Sequence, residues 1–168
     1  METKKNKNYH SNQLNVWLFI LSTFFLLSCS DIWTVPSEYI GQWKTNNNKI
    51  TVRFKLEDNE KSQYISDSAT VIIQINIDKT VSGFIGTAAF ENGKLGKNPS
   101  LPWETGIKYI IECGSIGQIF NNDPLDAKEV EIWLGPLNEN GMIKAELRYT
   151  EGRAVFPMGS ILFEKVKD

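Results

Sequence analysis

Histidine is almost missing from this 168-residue chain, which has only His10. From residue 11 onward there is no imidazole, so no Ser-His-Asp or Cys-His nucleophilic site can be assembled there. His-ligated zinc, copper and iron are excluded for the same reason. Cysteine is nearly as scarce, with only Cys29 and Cys113. Charge of one sign is lacking too, since 18 basic side chains stand against 20 acidic ones. That balance leaves no electrostatic footprint for nucleic acid and no polybasic stretch for a lipid surface. The longest apolar stretch is also shorter than the roughly 20 residues a membrane-spanning helix needs.

That stretch has another use. Lys4, Lys5 and Lys7 precede an apolar run over residues 16–27, broken only by Ser22 and Thr23. A basic start followed by about a dozen apolar residues is the pattern of a secretory signal peptide, with the basic end held in the cytoplasm. The run closes on Leu26-Leu27-Ser28-Cys29. This resembles a bacterial lipobox: aliphatic residues, a small residue at the scissile bond, then cysteine. The resemblance covers only the export segment. It implies that Cys29 carries a diacylglyceryl group and, after cleavage, a further acyl chain such as palmitate on its amine. Several chains on one residue make an effectively permanent anchor, whereas one chain holds marginally. Ser30 and Asp31 follow, and an acid just after the cysteine resembles a surface-export signal of some bacterial lipoproteins. The expected address is the cell envelope, at the outer membrane, with the periplasmic and surface sides both open.

The expected organisation is a signal peptide over 1–28, a tether over 29–38 and a single β domain over 39–168. The 140 residues from Cys29 carry 15 basic and 19 acidic side chains, and they are enough to build one real core. With Cys29 acylated, Cys113 has no partner for an internal disulfide. A lone thiol with only Lys108 near it in sequence reads as buried and inert.

Beyond the tether the chain alternates apolar and polar residues with a period of two, the mark of half-buried strands. Ile50, Val52, Phe54 and Leu56 form one such set, and Val71, Ile73, Ile75 and Ile77 another. The set Val130, Ile132 and Leu134 and the set Ile143, Ala145, Leu147 and Tyr149 follow. Asp78-Lys79-Thr80 reads as a tight turn into a strand over 81–90, and Asn92-Gly93 as the next turn. A strand over 107–112 places Ile107, Tyr109 and Ile111 on one face. Asn138-Glu139-Asn140-Gly141 is another hairpin turn, and residues 161–166 form the last strand. The stretch near 57–66 is the one place where a short helix fits. About eight antiparallel strands joined by hairpins predict an all-β, up-and-down barrel, with a β-sandwich as the alternative. A barrel also removes exposed edges.

The domain opens on Tyr39-Ile40-Gly41-Gln42-Trp43-Lys44. Gly-x-Trp entering the first strand resembles the opening of the calycin group, which includes lipocalins and avidins. The ending Phe163-Glu164-Lys165-Val166-Lys167 resembles that group's last strand. The resemblance covers the tripeptide, the end strand and the strand count. It implies that Trp43 closes one end of the barrel, that Gly41 permits a tight backbone approach, and that Lys165 or Arg153 packs over the indole. It also implies a small apolar ligand inside the barrel. No Thr-Asp-Tyr-type lipocalin motif and no set of biotin-contacting positions is evident.

Other residues stand out by type. Trp103, in the stiff loop Asn98-Pro99-Ser100-Leu101-Pro102-Trp103, either contacts a ligand or plugs the core. Trp133 points away from Val130, Ile132 and Leu134, beside Glu131, and either joins an interaction patch or is covered by a loop. Residues 121–126 offer oxygen ligands without an EF-type spacing, so an ordinary turn is the better reading than calcium. Glu129 and Glu131 share a face next to Lys128 and read as a solvated edge rather than an acid/base pair. The expected protein is therefore not an enzyme and has no metal or cofactor. It is a lipid-anchored barrel that holds a small apolar ligand, provided that small residues such as Gly86, Ala88 and Ala145 leave room inside. If Phe54, Ile73, Ile75, Ile132, Leu147 and Phe163 fill the interior, it is instead an envelope protein-interaction or structural module.

Overall fold

A computed structural model describes residues 33–45, 48–55, 62–99, 106–120, 128–151 and 154–167. A compact unit covers Thr34–Asp168. Its described elements are ten strands: β1 (Gly41–Lys44), β2 (Asn48–Lys55), β3 (Ser62–Ala69), β4 (Val71–Ile75), β5 (Thr80–Ile85), β6 (Ala88–Lys97), β7 (Tyr109–Ile116), β8 (Lys128–Leu137), β9 (Ile143–Glu151) and β10 (Ala154–Lys165). Eight of them form a closed antiparallel barrel in the order β1-β10-β9-β8-β7-β6-β5-β4. The ring is completed by β1 against β4, with Gly41 opposite Ile75 and Trp43 opposite Ile73. The chain is thus an all-β, eight-stranded up-and-down barrel consistent with a lipocalin-like one, and the sandwich alternative is set aside.

The connection from β1 to β4 is the unusual part. It contains the hairpin β2–β3, a separate two-stranded sheet that pairs Thr51 with Ser66 and Val52 with Ile65. The hairpin lies against β10, and its Ile50 is fully buried. Two expectations are corrected here. Residues 62–66 are strand, not helix, because they have a complete ladder partner in β2. Phe54, expected among the barrel-filling residues, belongs to this hairpin and not to the barrel wall.

The alternation read from the sequence is a real inside/outside code. β4 reads buried, half-buried, buried, half-buried, buried. The expected single strand over 81–90 is instead two strands with the turn at Gly86-Thr87, and Asn92-Gly93 lies within β6. The NG pair serves as a bulge rather than a turn: Val81 faces Gly93 while Gly83 faces Phe90, so β6 carries one extra residue. Similar register shifts occur at Cys113, at Gly135-Pro136 and at Pro157-Met158. Bulges raise local twist and bend a strand, which a small barrel needs in order to close. Pro157 is tolerated because it sits at one of them.

The interior is packed. Trp43, Ile73, Ile75, Val81, Ile85, Ile111, Ile132, Leu147 and Phe163 have no accessible surface. A void able to admit even one water would leave accessible area on the side chains around it. The described barrel therefore holds no such space beside these residues, as close-packed protein interiors require.

Candidate functional site

Chemistry on a filled barrel has to lie at its ends or on its outer wall. The strand directions put residues 33–40, the turn 76–79, residues 98–99 and 106–108, the turn 138–142 and residues 166–167 at one end. Because the chain enters from residue 33 there, we call it the entry end. The hairpin β2–β3, the turn 86–87 and the 117–120 segment stand at the opposite, distal end.

The entry end is closed by aromatic side chains. A tight turn, with Tyr39 N–H donating to the Pro36 carbonyl at 3.0 Å, folds Val35 and Tyr39 inward until both are buried. The Tyr39 hydroxyl donates to the Gly135 carbonyl at 3.2 Å, and its ring meets Tyr109 edge-on at 4.8 Å. Burial pushes the Tyr39 hydroxyl pKa up to about 12 and raises that of Tyr109 as well. Trp43 Nε1 donates to the Tyr39 carbonyl at 2.8 Å.

Lys165 stands opposite Trp43 in the β1–β10 ladder. Its Nζ lies 5.4 Å from the indole centroid and donates to the Glu38 carbonyl at 3.2 Å. Its stem passes over Gly41, where a Cβ would sit 3.1 Å from Lys165 Cε on a backbone with φ of +120°. Glycine is the residue that tolerates both conditions. Gly41, Trp43 and Lys165 are therefore brought together. Arg153, the other basic residue considered for Trp43, lies outside the described residues, as do Cys29, Trp103 and the loop 121–126.

The distal end is closed by main chain. Thr87 N–H donates to the Ile119 carbonyl at 3.1 Å, and its hydroxyl donates to the Gln118 carbonyl at 2.8 Å. This lays Ile119 and Phe120 over the barrel, where both are buried. Between them and β3 remains an open cleft of about 430 Å³, lined by Ile65, Asp67, Ser68, Thr70, Thr87 and Phe120 among others. Its polar groups are hydroxyls and one carboxylate over an apolar floor. That set can orient a bound group by hydrogen bonds, and among the described lining residues Asp67 is the one titratable side chain. A second cleft of about 350 Å³ lies at the entry end between Ile107 and Gly135–Asn138, beside the described flanks of the Trp103 loop.

On the outer wall, Trp133 faces out, and the Arg148 and Glu131 side chains lie against it. The Arg148 guanidinium stacks on its ring at 3.7 Å. Trp133 Nε1 donates to Glu131 Oε2 at 2.7 Å, and Arg148 donates to Glu146 Oε2 at 2.7 Å. Glu129 and Glu131, expected as a solvated edge rather than an acid/base pair, are each engaged separately, Glu131 by Trp133 and Glu129 by the Thr150 hydroxyl at 3.2 Å. Cys113 is buried within the wall, and desolvation raises its thiol pKa far above the ordinary range, so it has no nucleophilic form at neutral pH.

Sequence reasoning missed the distal cleft. Its lining comes from three separated segments, 65–70, 86–87 and 119–120, and Gly86, expected to leave room inside the barrel, lies in the turn that borders it.

Fold and site together define a class: a small closed antiparallel barrel with a packed interior, an aromatic plug at one end and a shallow polar cleft at the other. Compared with known proteins, the chain matches no family model, no curated protein and no solved structure.

Proposed function

We propose that this chain is a lipid-anchored cell-envelope protein, held at the outer membrane by acyl chains on Cys29, whose barrel is a solid scaffold that binds an envelope partner through its surface. The observation that carries this reading is the lack of accessible surface on the inward residues from Trp43 to Phe163. A ligand-carrying barrel of this strand number needs an interior wider than its own side chains. Gly86 is in the distal turn rather than inside, and Ala88 and Ala145 are buried. The distal cleft is the surface best suited to a partner, because it combines hydroxyls, Asp67 and the apolar Ile65 and Phe120. With one carboxylate and no imidazole it supports binding and not turnover.

Two experiments test the reading. Titration with a polyene fatty acid is expected to give no saturable quenching of tryptophan fluorescence. One-to-one quenching would restore the ligand-carrying alternative. Growth with labelled palmitate is expected to label the wild type and leave Cys29→Ser unlabelled. Equal labelling of both would remove the anchor.

A further inference from the structure

Ile77 is the most exposed large apolar side chain among the described residues, at 75%. It is held out by a rigid turn. Lys79 N–H donates to the Asn76 carbonyl at 3.1 Å. Asp78 Oδ1 accepts from the Thr80 N–H at 3.0 Å and from the Thr80 hydroxyl at 2.6 Å. The Asn76 amide donates to that hydroxyl at 3.0 Å, and Lys79 takes a left-handed backbone with φ of 72°. Four residues thus cooperate to hold an isoleucine away from the core.

The turn stands at the entry end, from which the chain leads back toward Cys29. Val166, 38% exposed, stands at the same end. Only five residues separate Cys29 from the buried Val35, and an extended chain of that length reaches at most about 20 Å. Among the described connections and strand ends there stand Lys79, Lys97, Lys108, Lys165 and Lys167, together with Glu38, Asp78, Glu139 and Glu164. These lysines are far apart in the linear sequence, and the barrel topology brings them to one end.

We propose that the entry end of the barrel rests on the bilayer itself, with Ile77 seated among the lipid headgroups and the lysines around it facing anionic phosphates. The proposal rests on the Cys29 anchor proposed above. An apolar tip on an end that also carries lysines suits the headgroup zone, where apolar burial and attraction to anionic lipid act together. The chain is then held at two points, acyl chains and turn, and the distal cleft points away from the membrane toward a partner.

The test uses the full acylated chain in vesicles containing anionic phospholipid and a spin-labelled lipid. Cys29 is blocked by acylation and Cys113 is buried, so a new cysteine takes a fluorophore selectively. Ile77→Cys and Ser115→Cys report on the two ends, and neither position contributes to the core. The ends are about 20 Å apart for tilted strands of this length. The headgroup zone is about 5–10 Å deep, so the label at 77 is expected to be quenched at least about threefold more than the label at 115. Equal quenching in chains whose N-terminal peptide carries acyl mass overturns the orientation and leaves the anchor standing. Absence of acyl mass overturns both. Replacing anionic by zwitterionic lipid is expected to reduce quenching at 77, and an unchanged value would remove the role of the lysines.

Discussion

The two ends of this barrel are closed by different means. At the entry end side chains do it: Tyr39, Trp43, Tyr109 and the Lys165 stem fill the opening and tie to main-chain carbonyls at Gly135, Tyr39 and Glu38. At the distal end main chain does it, with the 117–120 segment bonded to Thr87. Side-chain closure fills the opening with rings, and the cleft of about 350 Å³ at that end lies beside them, between Ile107 and Gly135–Asn138. Main-chain closure leaves the cleft of about 430 Å³ between β3 and the 117–120 segment, with a lining richer in hydroxyls.

The largest break in this comparison is Trp43→Ala. Removing a fully buried indole is expected to cost about 3–5 kcal/mol, read as a lower urea midpoint. Next is Gly86→Val. A Cβ there would lie 2.3 Å from the Ile119 carbonyl oxygen on a backbone with φ of +59°. The expected cost is roughly 2–3 kcal/mol, with faster amide exchange over 116–120 and an unchanged entry end. Faster exchange at both ends would mean that the closures are coupled. Lys165→Met removes the cation over Trp43 and its bond to Glu38 for about 1 kcal/mol. Thr87→Val removes the hydroxyl bond to Gln118 for about 1 kcal/mol and is expected to perturb only the distal segment.

The pH dependence has a definite sign. Tyr39 and Cys113 keep their protons in the fold, since burial raises both pKa values. The unfolded chain releases them near their ordinary values, about 10 for tyrosine and 8.5 for cysteine. Stability from these groups is therefore complete below about pH 8.5 and falls as pH rises above it. Urea midpoints at pH 7, 9 and 10.5 are expected to decline in that order, and Cys113→Ala is expected to flatten the first step.

Much of the barrel was legible in the sequence because a strand with one buried face writes its period into the residue order. β8 and β9 were read with the correct inward sets for that reason, and β4 was read correctly up to Ile75, whereas Ile77, expected in the same set, lies past the strand in the turn and is exposed. The Gly41, Trp43 and Lys165 cluster was legible from a short motif and the position of the last strand. Two things were not. The hairpin β2–β3 alternates like any strand pair, and period two does not say which sheet a strand joins. Asn92-Gly93 has the residues of a tight turn, but pairing with β5 and β7 stretched it into a bulge, a tertiary choice that local preference cannot express. The distal cleft and the lysine-rich entry end were likewise invisible, because both are made by topology from residues far apart in the chain.

The claim that most depends on the packed interior is that the barrel carries no cargo. Native mass spectrometry of the chain purified from cells that express it tests it most directly. The expected spectrum is the acylated polypeptide alone, with no stoichiometric apolar adduct that survives gentle activation. A one-to-one adduct lost together with unfolding of the barrel would contradict it.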